Sequence, residues 1–176
     1  KVPEMAIGRL PVMTSGELDI LIDKIKTYEA EQGADWQKRV ILSADVADDG
    51  GDFRVSSDAL QGLISGDYDV SKVHLSDMST GEARAALLSQ INNGAAFLNY
   101  YGHSGMDRLS KVGLLKSSDV SGLTNKNGLH IMTAMSCVMG QFPVPGYDCL
   151  GETILLSKNG GAAAVWAPTG LSYNKS

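Results

Sequence analysis

Apolar and polar positions along the chain follow two periods, one of strands and one of helices. Short apolar runs that are typical of buried parallel strands cover residues 40–44, 72–75, 95–101, 129–134 and 162–167. Between them lie segments with apolar positions at helical spacing, at 14–28, 56–64, 79–94 and 150–158. This alternation predicts an α/β fold, with a mostly parallel central sheet and helices on both faces.

Three of the helix starts carry hydroxyl or carboxylate residues that can cap a helix. Thr14 is followed three residues later by Glu17, and Ser79 is followed in the same way by Glu82. Both pairs fit a capping box, in which the two side chains satisfy each other's free backbone N–H groups. Residues 56–58 are Ser-Ser-Asp, and we expect them to cap the helix that follows.

Composition and charge narrow the class of protein. The chain has 176 residues, 43% of them hydrophobic and 20% charged, which suits one globular domain. Its net charge of −5 argues against a nucleic-acid partner, because phosphates require a basic patch. No apolar run approaches the ~20 residues that span a bilayer, so we expect no membrane span. Residues 1–4 resemble no signal peptide.

Two of the predicted strands end in residues that can carry out chemistry. The run 95–101 leads into Gly102-His103-Ser104, and the run 129–134 leads into Ser136-Cys137. If these strands are neighbours, a base and a nucleophile lie together at the ligand-binding edge of the sheet. The alternative is a buried cysteine that acts as a small apolar residue and an ordinary polar histidine. Cys149 precedes an apolar helix face, so we expect it to pack inward as a protonated thiol.

An acidic loop follows the first predicted strand. Its carboxylates are Asp45, Asp48, Asp49 and Asp52, with Gly50 and Gly51 between them. Such a loop can be a solvated turn, a cation site or a pocket for a basic group, although the usual calcium-loop spacing is not met. A phosphoryl-receiver domain would also need a lysine at the end of a later strand, and the later strands do not supply it.

Several segments together resemble gingipain-type cysteine peptidases, which belong to the caspase-like clan. They are residues 7–12, 99–103, 136–142, 151–152 and 160–164. The resemblance covers nearly the whole chain in the right order. It implies a caspase-like three-layer sandwich and a single peptidase domain over residues 1–176, a fragment of a longer protein.

The resemblance also implies roles for individual residues. Cys137 corresponds to the nucleophile and His103 to the acid/base, with the backbone amides of Cys137 and Ser104 as the oxyanion hole. Ser104 replaces the glycine that the family usually has after the histidine. Asp45 stands where the family has the carboxylate that orients the histidine. A thiolate is the reactive form of cysteine, and a nearby imidazole can take the thiol proton and later return it to the leaving amine.

Substrate contacts follow from the same resemblance. Asp52 lies close to the position of the family's aspartate that binds arginine or lysine, which predicts a preference for a basic residue before the cleaved bond. Gln141, where the family has an aspartate, and Trp166 are further candidates for contact with a protein or peptide substrate. The chemistry requires no metal or organic cofactor, although some relatives bind calcium. The resemblance implies a bacterial, secreted or cell-surface protein. The alternative is a non-catalytic caspase-like binding or scaffold module.

Overall fold

Strands and helices alternate through most of the chain in a computed structural model of the protein. The structure describes residues 7–172. The outer residues of the predicted domain, 1–6 and 173–176, lie outside this range. The strands are β1 (Arg39–Ala44), β2 (Asp69–His74), β3 (Phe97–Tyr101), β4 (Arg108–Leu109), β5 (Leu115–Lys116), β6 (His130–Met135) and β7 (Ala162–Trp166). The α-helices are α1 (Ser15–Ala30), α2 (Phe53–Gln61), α3 (Thr80–Asn92) and α4 (Leu150–Leu156). Two 3-10 helices cover Asp35–Lys38 and Ser117–Gly122.

The central sheet has five strands in the order β2-β1-β3-β6-β7, and every neighbouring pair is parallel. From β1 the chain passes to β2 on one side and then returns to β3 on the other side. This reversal opens a crevice at the carboxyl ends of β1 and β3, which is where open parallel sheets bind ligands. The loops that follow β1, β3 and β6 therefore meet at one edge of the sheet.

Helices cover both faces of the sheet, as the sequence predicts. Residues alternate between the faces along β3, where Leu98 and Tyr100 are fully buried in the main core. That core also contains side chains of α3 and α4, such as Leu87 and Ile154. On the opposite face, α2 packs against β1 and β3. The molecule is thus a three-layer α/β sandwich.

The predicted caps of α1 and α3 are confirmed, and the predicted cap of α2 is wrong. Thr14 and Ser79 each form the expected capping box with a glutamate three residues later. Helix α2 begins at Phe53, before the serines at 56 and 57. Its cap is Asp52, whose Oδ1 accepts a hydrogen bond from the Val55 N–H at 3.1 Å. This carboxylate satisfies a free N–H group of the first turn, so the helix starts earlier than the sequence predicts.

The connection between β3 and β6 contains an antiparallel pair, β4 and β5, besides the predicted short helix at Ser117–Gly122. Strands of two residues have no measurable apolar period, which explains why the pattern did not predict them. Within residues 7–172, no helix combines the length and the apolar character that a membrane crossing requires.

Candidate active site

His103 and Cys137 reach the same edge of the sheet because they follow neighbouring strands. Tyr101 of β3 pairs in register with Met135 of β6, and each of the two candidates lies two residues further on. Both line one cleft of about 690 Å³. The predicted juxtaposition of the two strands is confirmed, and it brings an imidazole and a thiol to one cavity.

The cleft is bounded mainly by apolar side chains. The lining includes Phe53 from the start of α2, Met135 from β6, Trp166 from β7 and Pro168 beyond it. Trp166 is 74% exposed, so its ring is available to a ligand. The predicted substrate residue Trp166 thus lies at the cleft. A mainly apolar cavity with a few polar groups is typical of ligand sites.

The chain around Cys137 has an unusual backbone conformation. Val138 adopts a φ of +34°, which side chains other than glycine rarely adopt. Its N–H donates to the carbonyl of Gly170 at 3.0 Å, and the Gly140 N–H donates to the carbonyl of Pro168 at 2.9 Å. The Cys137 thiol donates to the carbonyl of Ser172 at 3.5 Å. The segment 168–172 therefore holds the strained turn that carries the thiol.

The His103 ring is held on several sides. Its Nε2 lies 2.9 Å from Oδ2 of Asp48, and its ring meets that of Phe53 edge-on with 5.3 Å between centroids. A Cβ at Gly50 would lie 3.4 Å from the imidazole Cε1 and Nε2, so the glycine backbone packs against the ring. Because Asp48 occupies Nε2, Nδ1 is the nitrogen that remains for proton transfer.

Asp48 is the carboxylate that contacts the imidazole. The N–H of Gly50 donates to its Oδ1 at 2.8 Å, and Lys111 Nζ lies 3.7 Å from its Oδ2. The Gly50 N–H, the hydrogen bond with His103 and the positive charges nearby together lower the pKa of Asp48. The acidic loop indicated a functional carboxylate, but loop composition does not tell which of its aspartates meets the histidine.

The prediction that Asp45 orients the imidazole is wrong, because Asp45 binds the backbone of His103 and not its ring. The His103 N–H and the Tyr100 hydroxyl each donate to Oδ2 of Asp45 at 3.2 Å. Oδ1 accepts from Ser110 Oγ and the Val46 N–H, each at 2.9 Å. The side chain is buried, so its oxygens satisfy the turns that surround it. Burial and the negative charge of Asp45 raise the pKa of Tyr100 above its usual range.

Ser104, a predicted contributor to the oxyanion hole, directly contacts Cys137, the predicted nucleophile. The Cys137 N–H donates to Ser104 Oγ at 3.1 Å. The same hydroxyl donates to the carbonyl oxygen of Cys137. One side chain thus joins the loop after β3 to the loop after β6.

Two predicted substrate contacts lie elsewhere. Asp52 caps α2, and neither it nor Gln141 lines the cleft. The N–H of Gln141 donates to the carbonyl of Val138 at 3.1 Å, within the turn that follows the cysteine. The structure places both residues outside the lining of the cleft, and their contact with a substrate stays a prediction. Cys149 is buried at the start of α4, and burial raises the pKa of its thiol to about 11, in agreement with its predicted lack of reactivity.

Metal binding finds no support in the part of the chain that the structure describes. Among residues 7–172, no three or more histidine, cysteine, aspartate or glutamate side chains are grouped so that they could hold an ion. Calcium binding, which the resemblance makes possible, stays a prediction.

Comparison with known proteins places this geometry in a family. The family model that describes peptidase family C25 matches residues 1–176. Among curated proteins, two Lys-gingipains of Porphyromonas gingivalis, HG66 and W83, are 27% and 29% identical to the chain, over 97% of its length in each case. The chain spans only 10% of the length of each of these relatives.

Solved structures show the same fold. The Arg-specific cysteine proteinase gingipain R superposes with a TM-score of 0.78 at 22% identity, over 95% of this chain and 40% of that chain. A complex of pro- and mature gingipain domains from Porphyromonas gingivalis gives 0.76 at 24% identity, over 97% and 42%. The fold is therefore caspase-like, as gingipain is. Because the family model matches from the first residue to the last, the chain belongs to peptidase family C25.

Proposed function

We propose that this chain carries the catalytic centre of a cysteine endopeptidase that cleaves proteins or peptides through an acyl-enzyme on Cys137. The observation that carries the proposal is the placement of His103 and Cys137 just beyond the ends of neighbouring parallel strands, at one cleft, in a chain of peptidase family C25. No observation favours the non-catalytic alternative.

The proposed reaction begins at the thiol. His103 accepts the thiol proton at Nδ1, and the thiolate of Cys137 attacks the carbonyl carbon of the scissile bond. The backbone N–H groups of Cys137 and Ser104 stabilise the oxyanion that forms. His103 then gives its proton to the departing amine, which leaves a thioester on Cys137. Water, deprotonated by the same imidazole, hydrolyses the thioester and regenerates the thiol.

Asp48 has the role of a positioning residue in this scheme. Its carboxylate accepts a hydrogen bond from the protonated Nε2, which fixes the tautomer that leaves Nδ1 free to accept a proton. Its negative charge also stabilises the imidazolium that exists between the two proton transfers. The scheme needs no cofactor.

Peptidyl chloromethyl ketones test the assignment of the nucleophile. These reagents alkylate an active-site residue only after the peptide occupies the cleft. We expect covalent labelling of Cys137, detected by peptide mass mapping, and loss of peptide hydrolysis in the same sample. Cys137→Ala should abolish both, whereas the matched variant Cys149→Ala should retain both. Labelling that persists in Cys137→Ala, or hydrolysis that survives it, would refute the proposed nucleophile.

We also propose a preference for a basic residue before the cleaved bond. The curated relatives are named Lys-gingipains and one structural relative is named Arg-specific, which supports this substrate class. The described lining of the cleft contains no carboxylate, but Trp166 offers an exposed ring that can hold a cation. On peptides that differ only at this residue, kcat/KM for arginine should exceed that for norleucine about tenfold. Trp166→Leu should reduce the difference, and equal values for both peptides in the wild type would contradict it.

The curated relatives come from a bacterium, and we propose that this protein too acts in a secreted or cell-surface form. Immunodetection in culture supernatant and surface fractions of the source organism tests this proposal. Detection confined to the cytoplasm would contradict it.

A further inference from the structure

The hydroxyl of Ser104 makes two hydrogen bonds to one residue, Cys137. It accepts from the Cys137 N–H at 3.1 Å and donates to the Cys137 carbonyl. The N–H in question is a predicted oxyanion donor. In this structure that donor is therefore already engaged, and its acceptor is a side-chain oxygen of the protein itself.

The position of this oxygen matters as much as its partner. Three bonds join a serine Oγ to its own backbone nitrogen, so the two atoms are never more than about 4 Å apart. Ser104 Oγ thus lies close to both N–H groups of the predicted hole, that of Ser104 and that of Cys137. A substrate oxyanion needs about 3 Å to each donor, so it competes with this oxygen for the Cys137 N–H.

We propose that the Ser104 hydroxyl is an internal occupant of the oxyanion hole, and that it must rotate away from Cys137 before a tetrahedral intermediate can be stabilised. This inference rests on the proposed function. A single rotation about the Cα–Cβ bond of Ser104 moves Oγ to another staggered position and frees the Cys137 N–H. The glycine that gingipain-type peptidases carry here has no such side chain. Ser104 therefore slows acylation by stabilising the resting enzyme.

The test compares ligands that use the oxyanion hole with one that does not. A peptide aldehyde forms a tetrahedral thiohemiacetal on the cysteine, whereas iodoacetamide alkylates the thiol with no oxyanion. In Ser104→Ala we expect aldehyde affinity and kcat/KM to rise about fivefold each, because the lost contact is an ordinary hydrogen bond of the ground state. The rate of Cys137 alkylation by iodoacetamide should change less than twofold.

Two further variants complete the experiment. Ser104→Gly should resemble Ser104→Ala, and it tests the same contact if the alanine variant folds poorly. Ser104→Thr keeps a hydroxyl at the same atom, so its aldehyde affinity should stay near that of the wild type. A general loosening of the site would alter iodoacetamide alkylation as well, which separates it from the proposed effect.

The outcomes that contradict the proposal are distinct. If the wild type hydrolyses peptides but Ser104→Ala and Ser104→Gly bind the aldehyde equally well or more weakly, the occupant hypothesis fails while the proposed function stands. If the wild type neither hydrolyses peptides nor binds the aldehyde, the proposed function fails and this inference fails with it.

Discussion

Asp48→Asn should lower kcat with only a small loss of stability. The substitution removes the negative charge beside His103 Nε2 and leaves one amide oxygen, which can accept from the Gly50 N–H or from the neutral imidazole. The protonated imidazole loses its counter-charge, and that species exists only after the thiol proton has moved. We therefore expect the loss in the chemical step and little change in KM.

The structure sets the size of the effect. General acid–base catalysis contributes about 10²–10⁴ to a rate, and Asp48 supports only the charged form of the base. The Asp48 and His103 side chains are 34% and 35% exposed, so water and salt weaken the interaction of their charges. We expect kcat to fall about tenfold at low ionic strength, and by a smaller factor at high ionic strength.

The assay needs three variants in one loop. Asp48→Asn should reduce steady-state kcat on a fluorogenic peptide and lower the urea unfolding midpoint only slightly. Asp49→Asn removes the same charge from the neighbouring exposed residue, and it should leave both quantities unchanged. Asp45→Asn places an amide N–H₂ against buried donors and should cost about 2–4 kcal/mol of stability.

A contrary result would refute this reasoning. If Asp48→Asn and Asp49→Asn give the same kcat, the Asp48–His103 contact does not support catalysis. If Asp45→Asn keeps full stability and loses kcat while Asp48→Asn is silent, the original prediction for Asp45 is restored.

Three further predictions concern a buried lysine, a buried histidine and the two cysteines. Lys24→Met should cost about 2–4 kcal/mol of unfolding free energy in urea titrations, because Lys24 Nζ donates to four backbone carbonyls at and beyond the end of α4. Lys26 is exposed, so Lys26→Met should cost little, and equal losses for the two variants would refute this prediction. Burial lowers the pKa of His130 to about 3, so the unfolded chain binds more protons below pH 6.5. His130 alone should thus lower stability by about 2 kcal/mol from pH 7.5 to pH 5. His130→Leu should diminish the fall measured over this range, and an undiminished fall in that variant would refute the prediction. Iodoacetamide at pH 7.5 should label Cys137 before Cys149, whose pKa of about 11 keeps it protonated; early labelling of Cys149 would refute this.

The sequence predicted β1, β3, β6 and β7 well because each of these strands contains a mostly apolar run. Strand β2 begins three residues before the predicted segment 72–75, because its first residues are mostly polar and partly exposed. The pairing of β3 with β6 was a condition in the sequence analysis, and the structure meets it. The start of α2 was predicted too late. Asp52 and Ser56 are both good caps in isolation, and the choice between them depends on where the loop from β1 crosses the sheet edge. The path of that loop is set by tertiary contacts, which the local sequence pattern does not show.

Which aspartate contacts the His103 ring also depends on tertiary structure. The loop after β1 offers several aspartates, and the resemblance selected Asp45 by its position in the chain. In the structure the loop turns back on itself at Asp48, which forms backbone bonds with Gly51 in both directions. This turn carries the Asp48 carboxylate out to the imidazole and leaves Asp45 beneath it. A shift of three residues separates a buried aspartate from an exposed one.

The two aspartates divide the task of holding His103 between backbone and ring. Asp45, buried under the site, binds the His103 N–H and so fixes the position of its Cα. Ser104 then binds the backbone of Cys137, which fixes the two loops relative to each other. Only the ring itself is left to Asp48, whose side chain lies at the surface. Water there weakens the interaction between the Asp48 carboxylate and a protonated ring. A buried partner would hold a protonated ring more tightly and make the return of its proton to the leaving amine harder, so an exposed Asp48 suits the proposed role of His103 as both base and acid.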